Sequence, residues 1–187
     1  MARRRQQEAK EEFTHLSLRV ESYEASISAG VNHNAYSPEY AWDLDESDPV
    51  YKFTNQLQIS AITTWPSSRA SDRFELTLLG DDASSIRLDA TLKDIRARDS
   101  DGSSRYRTYR GKEVPILAPP SGLGTLQKVR GERTWTAWLF VTVGFVDQWR
   151  TMLMSVPSLY IGLHECKIDR TRWVRSVSLQ TVDPSEE

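Results

Sequence analysis

The sequence predicts an all-β protein, an antiparallel β-sandwich or partly open barrel of about 8–10 strands with a short N-terminal helix or disordered arm. Three observations lead there. Apolar and polar residues alternate with period 2 along most of the chain, and the i, i+3, i+4 spacing of amphipathic helices is scarce. Clusters of Gly, Pro, Asn, Asp and Ser interrupt the alternating runs at short intervals. Aromatic residues form 10% of the 187 residues, 6 of them Trp, so a core can be filled although only 39% of the chain is hydrophobic. The length suits one domain, because a chain of this size buries roughly 70% of its unfolded surface. The expected division is an N-terminal arm over 1–12, a single all-β domain over 13–182, and a disordered acidic tail over 183–187.

The opening MARRRQQEAKEE has helix-forming composition but no apolar segment after its basic residues, so it does not read as a secretory signal. In FTHLSLRVESYEASIS, Leu16, Leu18 and Val20 share one parity while Tyr23 and Ile27 share the other. That switch predicts a β-bulge or bend near Ser22. A second strand is VYKFTNQLQISAI, with Tyr51, Phe53, Leu57, Ile59 and Ala61 on one face. RFELTLL alternates through Phe74, Leu76 and Leu78, and SIRLDATL through Ile86, Leu88, Ala90 and Leu92, with a hairpin turn expected at GDDAS. Two further strand ends should meet at DSDGSS, since Asp-Gly suits the positive φ of a tight hairpin turn. LAPPSGLG reads as a loop.

RTWTAWLFVTVGF is β-branched and aromatic on both faces, which predicts a central strand covered on both sides. WRTMLM, LYIGLHECKI and WVRSVSLQTV then continue an antiparallel meander, although residues 146–154 contain no breaker and fit a short helix as well. The longest apolar run, near WLFVTVGFV, is about nine residues, far below the ~20 a membrane-spanning helix needs. The single cysteine, Cys166, leaves no internal disulfide framework and no multi-cysteine zinc site. A cytoplasmic location, with no membrane association, is the expectation.

Charge is spread unevenly although the net is −2. Residues 1–95 carry 10 basic and 16 acidic side chains, residues 96–175 carry 14 and 7, and the last twelve add −3. Such asymmetry signals either an anionic partner or oppositely charged segments packed together. The basic side is concentrated in RARDSDGSSRYRTYRGK. Arg96, Arg98, Arg105, Arg107, Arg110 and Lys112 interleave there with Tyr106 and Tyr109. Cations following phosphates beside aromatics that stack bases are the elements of a single-stranded nucleic acid platform. The competing reading is a solvated hairpin whose charges guard its edges.

Candidate chemistry elsewhere is thin. Asp43, Asp45, Glu46 and Asp48 in WDLDESDP offer hard oxygen ligands, yet the glycine and glutamate of a calcium loop are missing. His164 and Cys166 share a strand face, the start of a thiolate–imidazole pair, but i, i+2 side chains stand about 6–7 Å apart. His15 and His33 are isolated, SGLGT lacks the rest of a phosphate or dinucleotide fingerprint, and no nucleophile elbow or zinc motif occurs. No cofactor, metal or enzymatic activity is expected.

The leading expectation is a non-enzymatic interaction or assembly module. It would self-associate or bind a partner protein through a sheet edge or an aromatic-rich face such as Trp135, Trp138, Phe140, Phe145 and Trp149, oriented by the charge asymmetry. The alternative is single-stranded nucleic acid binding by the 96–112 hairpin on an OB-like barrel. A third class, carbohydrate or small-ligand binding, rests on Trp42, Trp65 and Trp173.

Overall fold

The computed structural model describes residues 11–31, 51–80, 88 and 90–186. Its strands are β1 (Glu11–Val31), β2 (Tyr51–Trp65), β3 (Arg73–Gly80), β4 (Tyr106–Tyr109), β5 (Lys112–Pro115), β6 (Gly124–Lys128), β7 (Thr134–Val141), β8 (Tyr160–Ile168) and β9 (Thr171–Gln180). One α-helix, α1 (Val143–Ser155), follows β7. Seven strands close into a barrel in the order β1-β2-β3-β7-β6-β9-β8, and β4 and β5 form a separate two-stranded sheet. The all-β expectation holds. The barrel is closed rather than partly open, and the β3–β7 pair is parallel within an otherwise antiparallel ladder.

Alternation fills the barrel. Leu16 and Leu18 of β1, Leu57, Ile59 and Ala61 of β2, and Phe74, Leu76 and Leu78 of β3 are buried, as are Ala137, Leu139, Ile161 and Leu163 from the far side. The β1–β2 register shifts between Val20 and Ser22, where the parity of the sequence changes. The extra residue turns Tyr23 and Ile27 onto the side that Leu16 and Leu18 occupy before it.

Several local expectations fail, each for a physical reason. The strand expected over RTWTAWLFVTVGF stops at Val141, and the choice left open over residues 146–154 falls to helix, which spans 143–155. Thr142 caps it by accepting a hydrogen bond from Phe145 N, and Val146, Trp149 and Leu153 form one buried face at helical spacing. β7 is central but not covered on both sides, because the outer Trp138 is 56% exposed while the inner Trp135 is buried. A closed barrel leaves the outer face of its strands to solvent unless another layer packs there. Leu88 and residues 90–95 form turn or irregular structure, with Leu92 exposed, so the described part of SIRLDATL is not a strand. The expected GDDAS turn, except for Gly80 at the end of β3, lies outside these residues.

β6 begins at Gly124, inside the stretch expected to be loop. A Cβ there would sit almost on the Trp138 carbonyl, so only glycine lets β6 close on β7. β1 starts at Glu11, within the expected arm. At the other terminus Pro184–Glu186 make a 3-10 turn where an unstructured tail is expected. Asp183 fastens it, accepting hydrogen bonds from Ser17 Oγ at 2.5 Å and Ser185 N at 2.9 Å.

The two ends of the barrel differ. α1 covers the end where β2 begins and β3 finishes, and Gly80 permits this approach: a Cβ there would stand 3.1 Å from Val143 Cα and from Val146 Cγ2. Asn55 Nδ2 donates to Asp147 Oδ1 at 3.1 Å and ties helix to strand. The opposite end, where β2 finishes and β3 and β7 begin, is closed by the 3-10 turn Ser67–Arg69 and a set of charged side chains. Among the described residues no helix is long and apolar enough to cross a membrane.

Candidate functional site

At the helix-covered end β1 and β2 continue past the barrel. β1 pairs with β8 only over Glu11–Arg19, and β2 pairs with β3 only over Asn55–Ile62. Beyond these limits the two strands pair with each other up to Val31↔Tyr51. They form a two-stranded ribbon. Ala25, Ile27 and Ala29 stand opposite Leu57, Asn55 and Phe53, so the ribbon's apolar face continues the barrel's inner face. Asn55, 8% exposed, ends the core; past it Ile27 is 67%, Tyr51 62% and Phe53 71% exposed.

The ribbon also has an open edge. From Glu21 to Val31 the outer side of β1 pairs with no strand among the described residues. This edge carries Glu21 and Glu24 but no Lys, Arg or Pro, the residues that most often guard such edges. Glu21 faces Arg73 at 3.6 Å. Where the ribbon leaves the barrel, Tyr23 and the end of α1 (Leu153, Val156) flank a groove of about 310 Å³. Residues 32–50, with the acidic WDLDESDP, Tyr36, Tyr40, Trp42 and His33, lie outside the described residues.

The basic stretch forms a second projecting unit. DSDGSS is a turn, closed by Asp99 N to Ser103 O at 2.8 Å and by Asp101 accepting from Ser103 N and Oγ. Those same bonds hold the Asp101 carboxyl below its ordinary range. A second turn is made by Arg110 and Gly111, both at positive φ, between β4 and β5. The sequence reading missed this turn because a non-glycine residue takes the first left-handed position.

All eight basic and aromatic residues, Arg96, Arg98, Arg105, Tyr106, Arg107, Tyr109, Arg110 and Lys112, are exposed. They do not share one face. The pairings Arg107↔Val114, Tyr109↔Lys112 and Ala97 with Arg105 set Arg105, Arg107, Tyr109 and Lys112 on one side. Tyr106, Arg96 and Arg98 fall on the other. Arg105 pairs with Asp99 at 3.5 Å, and Arg110 stacks on Tyr109 at 5.3 Å. Among the described residues no ion pair joins this unit to β1 residues 21–31. The charge asymmetry is met partly on the outer surface of the barrel instead, by Glu12–Lys167 at 3.3 Å and Glu11–Arg175 at 3.8 Å.

No hydrogen bond joins His164 and Cys166 among the described residues. Cys166 is fully buried, and its sulfur makes no hydrogen bond among the described residues. His164 instead stacks on His15 across β1 and β8, with ring centroids 4.1 Å apart. Burial, with the nearby His15 and Arg175 charges, lowers the His164 pKa. The pair lines a cleft of about 530 Å³ with Trp65, whereas Trp173 is half-buried. Of the expected aromatic face, Trp135 and Trp149 are buried and Phe140 and Phe145 half-buried, which leaves Trp138.

The charged barrel end escaped the sequence reading altogether. Glu165, 1% exposed, accepts from Arg69 Nη1 at 2.7 Å and from Arg172 Nη1. Asp72 accepts from Arg133 Nε at 2.9 Å and Trp135 Nε1 at 3.1 Å. Arg69 lies over the Trp135 ring at 4.2 Å. Burial alone would raise the Asp72 pKa, but the bonds from Arg133 and Trp135 and the Arg133 and Arg69 charges outweigh it and hold it low. These residues come from separate strands and turns, and no local pattern marks them. Comparison of the chain with protein-family models, curated proteins and solved structures gives no match.

Proposed function

We propose that the protein is a non-enzymatic assembly module that pairs with a second copy of itself through the ribbon edge of β1. The observation that carries this reading is the coincidence, on one ribbon, of an open strand edge and an uncovered apolar face. An edge of this kind templates strand addition, and exposed apolar surface beside it adds burial to the backbone hydrogen bonds.

The sequence of the edge is self-complementary. Antiparallel pairing about a two-fold axis through Ser26 sets Ala25 opposite Ile27, Tyr23 opposite Ala29 and Glu24 opposite Ser28. Like charges are kept apart, and the apolar residues of both copies fall on one side of a four-stranded sheet. Register rather than the charge asymmetry then fixes the orientation. A lone buried thiol needs no oxidising compartment, so the reading keeps the protein in the cytoplasm.

Light scattering across a dilution series tests the reading. The expected mass is that of two chains, falling to one on dilution, and Ile27→Lys should give one chain throughout. Ser26→Cys should cross-link on oxidation, because opposite Cα atoms lie about 4.5–5.5 Å apart, within disulfide reach, whereas Ser28→Cys should not. A single-chain mass at every concentration, or equal cross-linking of the two variants, would falsify it.

A second reading rests on the exposure of all eight residues of the 96–112 unit. Single-stranded nucleic acid bound there would show anisotropy with a labelled oligonucleotide, weakening steeply with salt. The division of the arginines between two faces argues against a single stacking platform. No binding at low salt would remove this alternative.

A further inference from the structure

At the barrel end opposite α1, positive charge exceeds what the local acids take up. Arg69, Lys128, Arg133 and Arg172 line a cleft of about 480 Å³ together with Asp72. Both oxygens of Glu165 are taken by Arg69 and Arg172, and both oxygens of Asp72 by Arg133 and Trp135. Glu12, the next acid, is engaged by Lys167. Four cations against Asp72 and Glu165 leave an excess of two positive charges.

Donors are left over as well. Arg69 Nε and Nη2 are buried without a hydrogen-bond partner, although Nε lies 3.6 Å from Asp72 Oδ2. Lys128 Nζ stands 5.7 Å from the Trp135 ring centroid and has no ion pair among the described residues. Buried, unpartnered donors of a cation are rare in folded proteins and call for a water or an ion. Burial lowers the Arg69 pKa, against the pull of Asp72, and an added anion would relieve that cost.

We propose that this cleft binds a phosphate dianion, either free or as the monoester of a small polyol. Phosphate carries about −1.5 to −2 charges near neutral pH, which matches the excess. Guanidinium groups present paired donors that fit its oxygens. The cleft is larger than phosphate and falls in the range of small-molecule sites, roughly 300–1,000 Å³. Trp135 is covered by Arg69 and Arg172, so its ring offers no face for a base to stack on. The hydroxyls of Thr14 and Ser68 on the wall suit a polyol instead.

Calorimetric titration of the full chain with inorganic phosphate, glucose 6-phosphate and glucose tests the site. One saturable site for both phosphates, and none for glucose, is expected. Tighter binding of the sugar phosphate assigns the cleft to a monoester, and equal binding assigns it to free phosphate. Lys128→Gln removes an exposed, unpaired cation, so the fold should keep its melting temperature while affinity drops about tenfold. Lys112→Gln, on the separate β4–β5 sheet, serves as control and should change nothing. Absence of saturable phosphate binding, or equal affinity in wild type and Lys128→Gln, overturns the proposal.

Discussion

Leu57 and Phe53 sit on the same face of β2, opposite Ala25 and Ala29 of the same neighbouring strand, yet one is fully buried and the other 71% exposed. One alternating pattern runs through two different surroundings. Over Leu57, Ile59 and Ala61 the face meets β3, β8 and the rest of the barrel; over Tyr51 and Phe53 nothing in the described chain lies across it. The difference is one of surroundings, not of local sequence. Burial therefore says where stability resides, and the bare continuation says where an interaction can be made.

The largest expected effect tests that division directly. Leu57→Ala should destabilise the chain by about 2–5 kcal/mol in denaturant unfolding, the usual cost of a cavity at a fully buried leucine. Phe53→Ala, measured at concentrations that favour single chains, should stay within about 0.5 kcal/mol. Comparable losses would break the comparison, since they would mean that the ribbon face is covered within a single chain.

Asn55 marks the boundary and should give an intermediate effect. It shares the parity of Leu57 and Phe53, is nearly buried, and donates to Asp147 of α1. Asn55→Ala should cost on the order of 1 kcal/mol through the lost hydrogen bond. Asp147→Ala should cost a similar amount if the tie to α1 is what Asn55 supplies. A double variant no worse than either single one would sharpen the assignment, because coupled partners are not additive.

Parity was legible in the sequence; closure was not. The faces of β1, β2 and β3 and the bulge after Val20 follow from period-2 alternation, which is local. Where the core stops on β2 depends on β3 ending at Gly80 and α1 crossing there, contacts remote in sequence. α1 itself was ambiguous because WRTMLM satisfies strand and helix spacing alike, and Thr142 and the buried triad decide it only in three dimensions. The charged barrel end shows the same limit more severely. Arg69, Asp72, Arg133, Glu165 and Arg172 are ordinary polar residues of strands and turns until closure of the barrel brings them together. The His15–His164 stack likewise needed the β1–β8 register, while the DSDGSS turn needed only its own residues.

The smallest expected effect separates barrel and ribbon by pH. His164 has its folded pKa below the ordinary 6.5, burial being the first cause and the charges of His15 and Arg175 the others. The unfolded chain therefore takes up this proton first as pH falls. Stability from a neutral His164 is complete above 6.5 and is lost as pH drops through the lower folded value. Urea unfolding at pH 7 and pH 5 should show wild type losing stability, and His164→Phe losing less. Residues 21–31 of β1 contain no histidine, so the mass measured by light scattering should not change over the same interval. A barrel weakened by acid beside an unaffected ribbon association would place the two properties on separate groups. Dissociation tracking the loss of barrel stability would instead make the ribbon depend on the barrel that carries it.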